Sequence, residues 1–243
     1  MNRSDVLQQI IDKLGAEAYL EIGVNRGRCF LPIKAKRKIG VDPNLKLSKK
    51  RRRAYLLRNL RSKYYRVTSD EFFAEAQLPY HFDVVFVDGL HTFHQAVRDV
   101  ENALRILNPN GIVVVHDCNP PTASAAYPAS SYEEVAALKL PGWTGEWCGD
   151  VWKAVCYLRS HRKDLSVFVL DCDYGLGFFR RGIPEVSFEL DDATLLNLTY
   201  DDLVKNRKLF LNLKEAEYFG QLLNVLGLET EAETSKSGLS FTT

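Results

Sequence analysis

Four side chains able to bind protons, metals or hydrogen-bond partners follow the apolar run in GIVVVHDCNPP, residues 111–121: His116, Asp117, Cys118 and Asn119. A second polar group, Asp88, His91 and His94, stands at and just beyond the end of FDVVFVDG, 82–89. Histidines titrate near neutrality and can move a proton at working pH. Cys118 is a poor nucleophile beside Asp117, because a neighbouring carboxylate raises a thiol's pKa. His94 falls early in an apolar helix pattern and reads as structural. Upstream, Glu21 sits inside AYLEIGV, 18–24, where a carboxylate must find a donor or a cation. Gly23 and Gly27 bracket the turn that follows, and glycine permits positive φ and close approach of a backbone or ligand. Asp42 ends RKIGVD, 37–42. Thr68, Ser69 and Asp70 end KYYRVTS, 63–69, and the residue after it.

All of these groups stand at the C-terminal ends of short apolar runs. The runs 18–24, 37–42, 63–69, 82–89 and 111–117 read as strands. Helical patterns at 45–60 and 92–107 lie between them. In the second, Val97, Val100, Ala103, Leu104 and Leu107 form one stripe. Thr92 is the expected cap, and NPNG, 108–111, the expected stop. Strands apolar on both faces, alternating with helices, predict a doubly wound α/β fold with a mostly parallel sheet covered on both faces. A helix at 149–161 precedes LSVFVLDC and GLGFFRRG, whose short DYG joint predicts a hairpin and an antiparallel edge. Ligands of such sheets bind in the crevice beyond the carboxyl ends of the strands. Five polar endings therefore predict one cleft. Residues 118–148 carry four prolines with Trp143 and Trp147 and no strong periodicity. A loop of this length is expected to close over an active site.

The 243 residues are 46% hydrophobic and 26% charged, which suits one globular domain at 1–185, a helical extension at 186–228 and a flexible tail at 229–243. A net charge of +1 excludes a whole-molecule polyelectrolyte binder. No run of 18 apolar residues occurs, and the amphipathic N-terminus lacks a signal-peptide pattern, so no membrane partner is expected. Five cysteines without a CxxC pair point to a reducing compartment and a cytoplasmic location. From Lys34 to Arg66 the chain is strongly basic, with KKRRR at 49–53 and Asp42 its only acid. Such a run can meet nucleic acid or an anionic glycan, although no RNA-binding motif accompanies it.

The segments YLEIGVNRG, IGVDPN, VTSDEFF and FDVVFVDGLHTFHQAVRDVENALRILNPNGIVVVHDCNP, in this order, resemble the class I S-adenosylmethionine-dependent methyltransferases over about 15–120. The last segment, with GDVWKAVCYLR, is similar to a bacterial small-molecule branch related to macrocin-type and catechol-type O-methyltransferases, which extends the likeness to about residue 182. The resemblance implies a Rossmann-like fold with S-adenosylmethionine as cofactor. It implies that Glu21 orients the amino-acid end and that Gly23 and Gly27 form the turn. Asn25 stands where a further glycine is usual; asparagine tolerates the left-handed region. Asp42 matches the ribose-binding acid, Ser69 and Asp70 the segment passing the adenine, and Asp88 the floor near the methyl group.

Relatives of this kind often hold a divalent cation, and Asp88, His116 and Asp117 fall at the matching positions. His116 replaces an acid there, and a nitrogen ligand suits Mn, Fe or Zn better than Mg. The metal-free alternative makes His91 or His116 the general base, with Asp117 beside them. The expected reaction is methyl transfer to a hydroxyl of a small molecule or sugar, by a chain that could form homo-oligomers. The alternatives are a nucleic-acid methyltransferase using 34–66 and a non-catalytic module that binds the cofactor. A nicotinamide oxidoreductase is disfavoured, because GVNRGR lacks G-x-G-x-x-G.

Overall fold

A computed structural model describes residues 1–75, 78 and 80–227. Strands β1 (Ala18–Ile22), β2 (Arg37–Val41), β3 (Ser62–Tyr65), β4 (Phe82–Val87) and β5 (Leu107–Val115) are parallel. Strands β6 (Leu165–Leu170), β7 (Leu176–Arg181) and the two-residue β8 (Leu213–Lys214) complete one sheet in the order β3-β2-β1-β4-β5-β7-β6-β8. The predicted hairpin is β6–β7. Its second strand is the one that inserts beside β5, antiparallel to it, while β6 lies farther out and pairs with β8. The chain winds outward from β1 to β3, then returns to place β4 on the other side of β1. That reversal is the switch point where a crevice opens.

Alternation along the strands decides which face each polar group meets. Leu20, Ile22, Val85, Val87, Val113 and Val115 pack with α4 (Phe93–Arg105) and α6 (Val151–His161). Tyr19, Val84, Phe86, Ile112 and Val114 face α1 (Arg3–Leu14), whose Val6, Leu7, Ile10 and Ile11 are buried. Glu21, Asp88 and His116 share the parity of this second set. Helix α1 is capped by the Asn2 side chain, which accepts from Asp5 N–H, and it ends on Gly15 in the left-handed region. Its first residue therefore stands near the polar ends of β4 and β5.

Several sequence expectations are corrected. The helix expected over 45–60 is only α2 (Lys49–Ala54) followed by a 3-10 turn, Leu56–Asn59. Neither buries a residue, because the basic run has no apolar stripe to anchor more turns. The helix does end before NPNG, at Arg105, but NPNG is not a linker between elements. It bulges from the start of β5, since Phe82 pairs with Leu107 and Val84 with Ile112. Thr92 stands at the N-cap of α4 but makes no side-chain cap bond; Asp150 Oδ1 accepts from Phe93 N–H at 2.6 Å instead. The loop 118–148 contains a short helix, α5 (Tyr132–Leu138). A further short helix, α3 (Ser69–Glu75), follows β3. In the C-terminal extension, α7 (Asp192–Asn197) and α8 (Tyr200–Leu211) bury Leu195, Leu203 and Phe210 in the α6 core, and 218–227 is helical. The expected tail, 229–243, lies outside the described residues. Among the described residues no helix is long and apolar enough to cross a membrane.

Lys38 is a buried cation on the α1 face. Its Nζ donates to the carbonyls of Phe30 at 2.6 Å and Ile33 at 2.8 Å, holding the segment after the glycine turn. Burial pushes its pKa down to about 7 against the pull of Glu21. Lys38→Met should leave two carbonyls without a donor and cost ~2–3 kcal/mol of stability, read from the urea midpoint at constant slope.

Candidate active site at the strand ends

The turn after β1 is built by three left-handed residues: Gly23 at φ 89°, Asn25 at φ 44° and Gly27 at φ 68°. Asn25 thus adopts the conformation expected of it. Gly23 also lies against the end of β4, where Asp88 N–H donates to Ile22 O at 2.8 Å. Asp42, buried at the end of β2, accepts from Asn25 N–H and Asn44 N–H, both at 2.6 Å, through separate oxygens. Each carboxylate oxygen has two acceptor sites, so one site per oxygen remains for a ligand.

Beyond these residues lies a cavity of about 650 Å³, lined among others by Gly23, Asn25, Asp42, Ser69, Asp70 and Asp88. Ser69 and Asp70 begin α3, and both are held by Gln95 Nε2 at 3.1 Å. The same amide donates to buried Asp99 at 2.9 Å. The other Asp99 oxygen has no partner among the described residues. Burial raises the pKa of Asp99 to about 6. The roof comes from the long loop: Ser131, Tyr132, Glu133 and Trp147 line the same cavity. Trp147 is buried and stacks on His91 with ring centroids 5.2 Å apart, so the loop packs onto the site. Trp143 instead packs against Tyr132 at the outer side.

A second cavity of about 400 Å³ continues from the first; both touch Gly23, Asn25, Asp88 and Tyr132. Glu21 opens into this smaller space together with Arg3, Arg26 and Arg28. Glu21 is buried and accepts from the Tyr19 hydroxyl at 2.5 Å. Burial pushes its pKa up to about 8, against that hydrogen bond. The predicted carboxylates Glu21, Asp42 and Asp88 therefore border one continuous slot. Gly27 shapes the turn without lining either cavity.

At the far end stand Asp88, His91, His116 and Asp117. His116 Nδ1 is 2.9 Å from Asp117 and 3.3 Å from Asp88, and His91 Nδ1 is 3.3 Å from Asp117. Burial lowers the pKa of His91, but Asp117 and Asp88 outweigh it and hold the value at about 9. His116 is likewise pushed down by burial and lifted well above its ordinary value by Asp117 and Asp88. Burial works to raise Asp88; His116, His91 and Arg3 prevail and keep it well below the usual carboxylate range. Cys118 is buried, and burial with Asp117 raises its thiol pKa, in keeping with its dismissal as a nucleophile.

Two groups in this cluster carried no sequence signal. Arg3 reaches over from α1: its Nη1 lies 2.7 Å from His116 Nδ1, touches Nε2, and is 3.7 Å from Asp88. Asp173, in the β6–β7 turn, accepts from Arg3 N–H at 2.7 Å and faces His116 Nε2 at 3.4 Å. Donor atoms of Asp88, His116 and Asp117 do lie within 4.8 Å of one another, as expected for metal ligands. An ion shared by these three needs the space between them, however, and Arg3 Nη1 lies against the His116 ring and 3.7 Å from Asp88, placing a fixed positive charge there. The residues as arranged do not fit a resident dication.

Residues 20–118 match the family model of a methyltransferase domain. The sheet and its helices have a Rossmann-like fold found in methyltransferases. A provisionally assigned O-methyltransferase of Klebsiella pneumoniae superposes with a TM-score of 0.54 at 13% identity, over 74% of this chain and 80% of that one. A provisionally assigned caffeoyl-CoA O-methyltransferase of Staphylococcus aureus superposes with a TM-score of 0.52 at 18% identity, over 74% and 82%. A search of curated sequences returned no match. At these identities the likeness speaks to the fold. The matched methyltransferase domain supplies β1, β2, β3, β4 and β5, and so every polar strand end; the roof and α6 lie beyond it.

Proposed function

We propose that this methyltransferase moves the methyl group of S-adenosylmethionine to a hydroxyl of a small molecule. The observation that carries this reading is the continuity of the slot around Gly23, with an acid at each station a cationic nucleoside would need. Asp42 takes the ribose hydroxyls, and the Ser69–Asp70–Gln95 group passes the adenine edge. The smaller cavity suits a zwitterion: Glu21 faces the ammonium, and Arg26 and Arg28 offer cations to the carboxylate. The sulfonium then lies near Asp88.

The reaction is a single displacement. A lone pair of the acceptor oxygen bonds to the methyl carbon, and the carbon–sulfur bond breaks toward sulfur. The sulfonium becomes a neutral thioether. Alignment of the three centres supplies the larger part of the acceleration. His91, which lines the larger cavity and whose pKa Asp117 and Asp88 hold at about 9, acts first as a donor that steers the acceptor oxygen. The departing proton goes to an Asp–His pair that titrates as a unit. Trp147 and α5 cover the site and exclude water.

Calorimetry with S-adenosylhomocysteine tests the first half. Asp42→Ala removes the ribose acceptor and both turn bonds, and should weaken binding by ~1–3 kcal/mol. Unchanged affinity would overturn the assignment of Asp42. Transfer of labelled methyl from S-adenosylmethionine to a panel of phenols, sugars and amines tests the second half. The nucleic-acid alternative would instead be favoured by binding that falls steeply with salt. The roofed slot speaks for a small acceptor, since Tyr132 and Trp147 leave space for a molecule and not for a duplex.

A further inference from the structure

The acceptor end holds three carboxylates, Asp88, Asp117 and Asp173, against three basic groups, Arg3, His91 and His116. Arg3 is the member from outside the sheet. Its backbone N–H is fixed by Asp173, its Nε is 3.9 Å from the same carboxylate, and its Nη1 is 3.7 Å from Asp88. The guanidinium is only partly exposed and borders the smaller cavity beside Asp88 and Tyr132. Helix α1 is anchored below it by four buried aliphatic residues, so the guanidinium is held in place and is not a free surface arm.

A divalent ion among Asp88, His116 and Asp117 would need a bare ring nitrogen and the space next to it. Arg3 occupies that space and already supplies positive charge to the acids. We propose that Arg3 is the resident cation of the acceptor end: its guanidinium stands where a metal ion would, closing a latent site made by Asp88, His116 and Asp117. On the reading given above, methyl transfer then needs no added metal, and Arg3 is a positioning residue that sets the geometry and charge of His116 and Asp88. Lysine, a compact point charge on a flexible stem, would keep the charge while losing the planar fork.

The test uses Mn²⁺ as the probe and needs no acceptor. Wild type, Arg3→Ala, Arg3→Gln, Arg3→Lys, Asp117→Asn and the double variant Arg3→Ala/Asp117→Asn are titrated with Mn²⁺ by electron paramagnetic resonance. S-Adenosylhomocysteine binding is measured on each variant. The expected result is that Arg3→Ala and Arg3→Gln each take up one Mn²⁺ at least tenfold more tightly than wild type. Arg3→Lys should stay closed like wild type, and the double variant should lose the gained site. If wild type binds one Mn²⁺ as tightly as Arg3→Ala and loses it in Asp117→Asn alone, Arg3 does not hold the place and the proposal fails. It fails equally if neither neutral variant gains a site while retaining wild-type melting behaviour. Should one neutral variant not fold, the other and the wild-type titration still decide. Loss of S-adenosylhomocysteine binding in every form, wild type included, would sink the cofactor reading and leave the Mn²⁺ comparison standing.

Discussion

Gly23→Ala is expected to abolish S-adenosylhomocysteine binding and to lower the melting temperature by several degrees. Two faults combine. Gly23 has φ 89°, where a side chain is strained, at ~1–3 kcal/mol. A Cβ there would also lie 1.8 Å from the carbonyl oxygen of Asp88 and 2.3 Å from its carbon. Backbone cannot step aside as a flexible side chain can, so the ends of β1 and β4 must part. Those two ends are the centre of the slot, between Glu21 and Asp88, and their separation moves both acids. A loss of ~3 kcal/mol in a chain of this size corresponds to roughly 6–12 °C. Gly15→Ala is the control. Gly15 has φ 61° but nothing within 4 Å of its added Cβ, so it carries the strain without the collision. It should cost stability and leave cofactor binding intact. Calorimetry and thermal scans on both variants check this; retained affinity in Gly23→Ala would show that the turn does not frame the cofactor.

The polar strand ends were legible because a parallel sheet makes two local demands that sequence displays. Its strands are apolar on both faces, so Glu21 stood out, and its crevice lies at the carboxyl ends, so Asp42, Asp88 and His116 could be read as one group. The order of β1 to β5 follows from the same pattern. What failed was local punctuation that tertiary contacts override. NPNG reads as a stop followed by a loop; the helix does stop at Arg105, yet β5 begins at Leu107 and absorbs NPNG as a bulge against β4. Thr92 reads as a cap, yet Asp150 takes that bond from the start of α6. The run at 45–60 has helix-forming residues but no apolar face, and only Lys49–Ala54 and one 3-10 turn form.

The rest of the site was hidden because its partners are far apart in the chain. Arg3 reads as the solvated start of an amphipathic helix. Nothing within its own segment shows that α1 lies over β4 and delivers the guanidinium to His116. Asp173 belongs to a turn, with Asp173 at φ 46° and Tyr174 at φ 63°, and reads as the joint of a hairpin. Only the insertion of β7 beside β5 brings it to the site. The charges of the histidines follow from that assembly. Sequence offered His91 and His116 as bases with ordinary titration, whereas the surrounding carboxylates raise the pKa of both.

Binding of S-adenosylhomocysteine should strengthen about tenfold per pH unit between pH 6 and 8, and then level off. The cause is Glu21. In the free protein, burial holds its carboxyl at about 8, so at neutral pH it is mostly protonated. The ligand's ammonium favours the charged form, and the bound pKa must fall below the free one. A group whose pKa drops on binding releases a proton, so binding is opposed wherever the free form is protonated, which is below pH 8. A gap of one pH unit between the free and bound pKa is worth about 1.4 kcal/mol, or tenfold in affinity. From pH 8 to pH 6 the dissociation constant should rise about 50-fold, provided the bound value lies well below 6. Calorimetry at pH 7 in buffers of different ionisation enthalpy should count close to one proton released per ligand bound. Glu21→Gln separates this from every other titrating group in the slot, because it keeps the hydrogen bond from Tyr19 and cannot ionise. Its binding should be weak and nearly flat over the same range, with no proton released through this position. If the wild-type affinity is flat while Glu21→Gln binds equally well, the carboxylate does not meet the ammonium, and the smaller cavity holds some other part of the ligand.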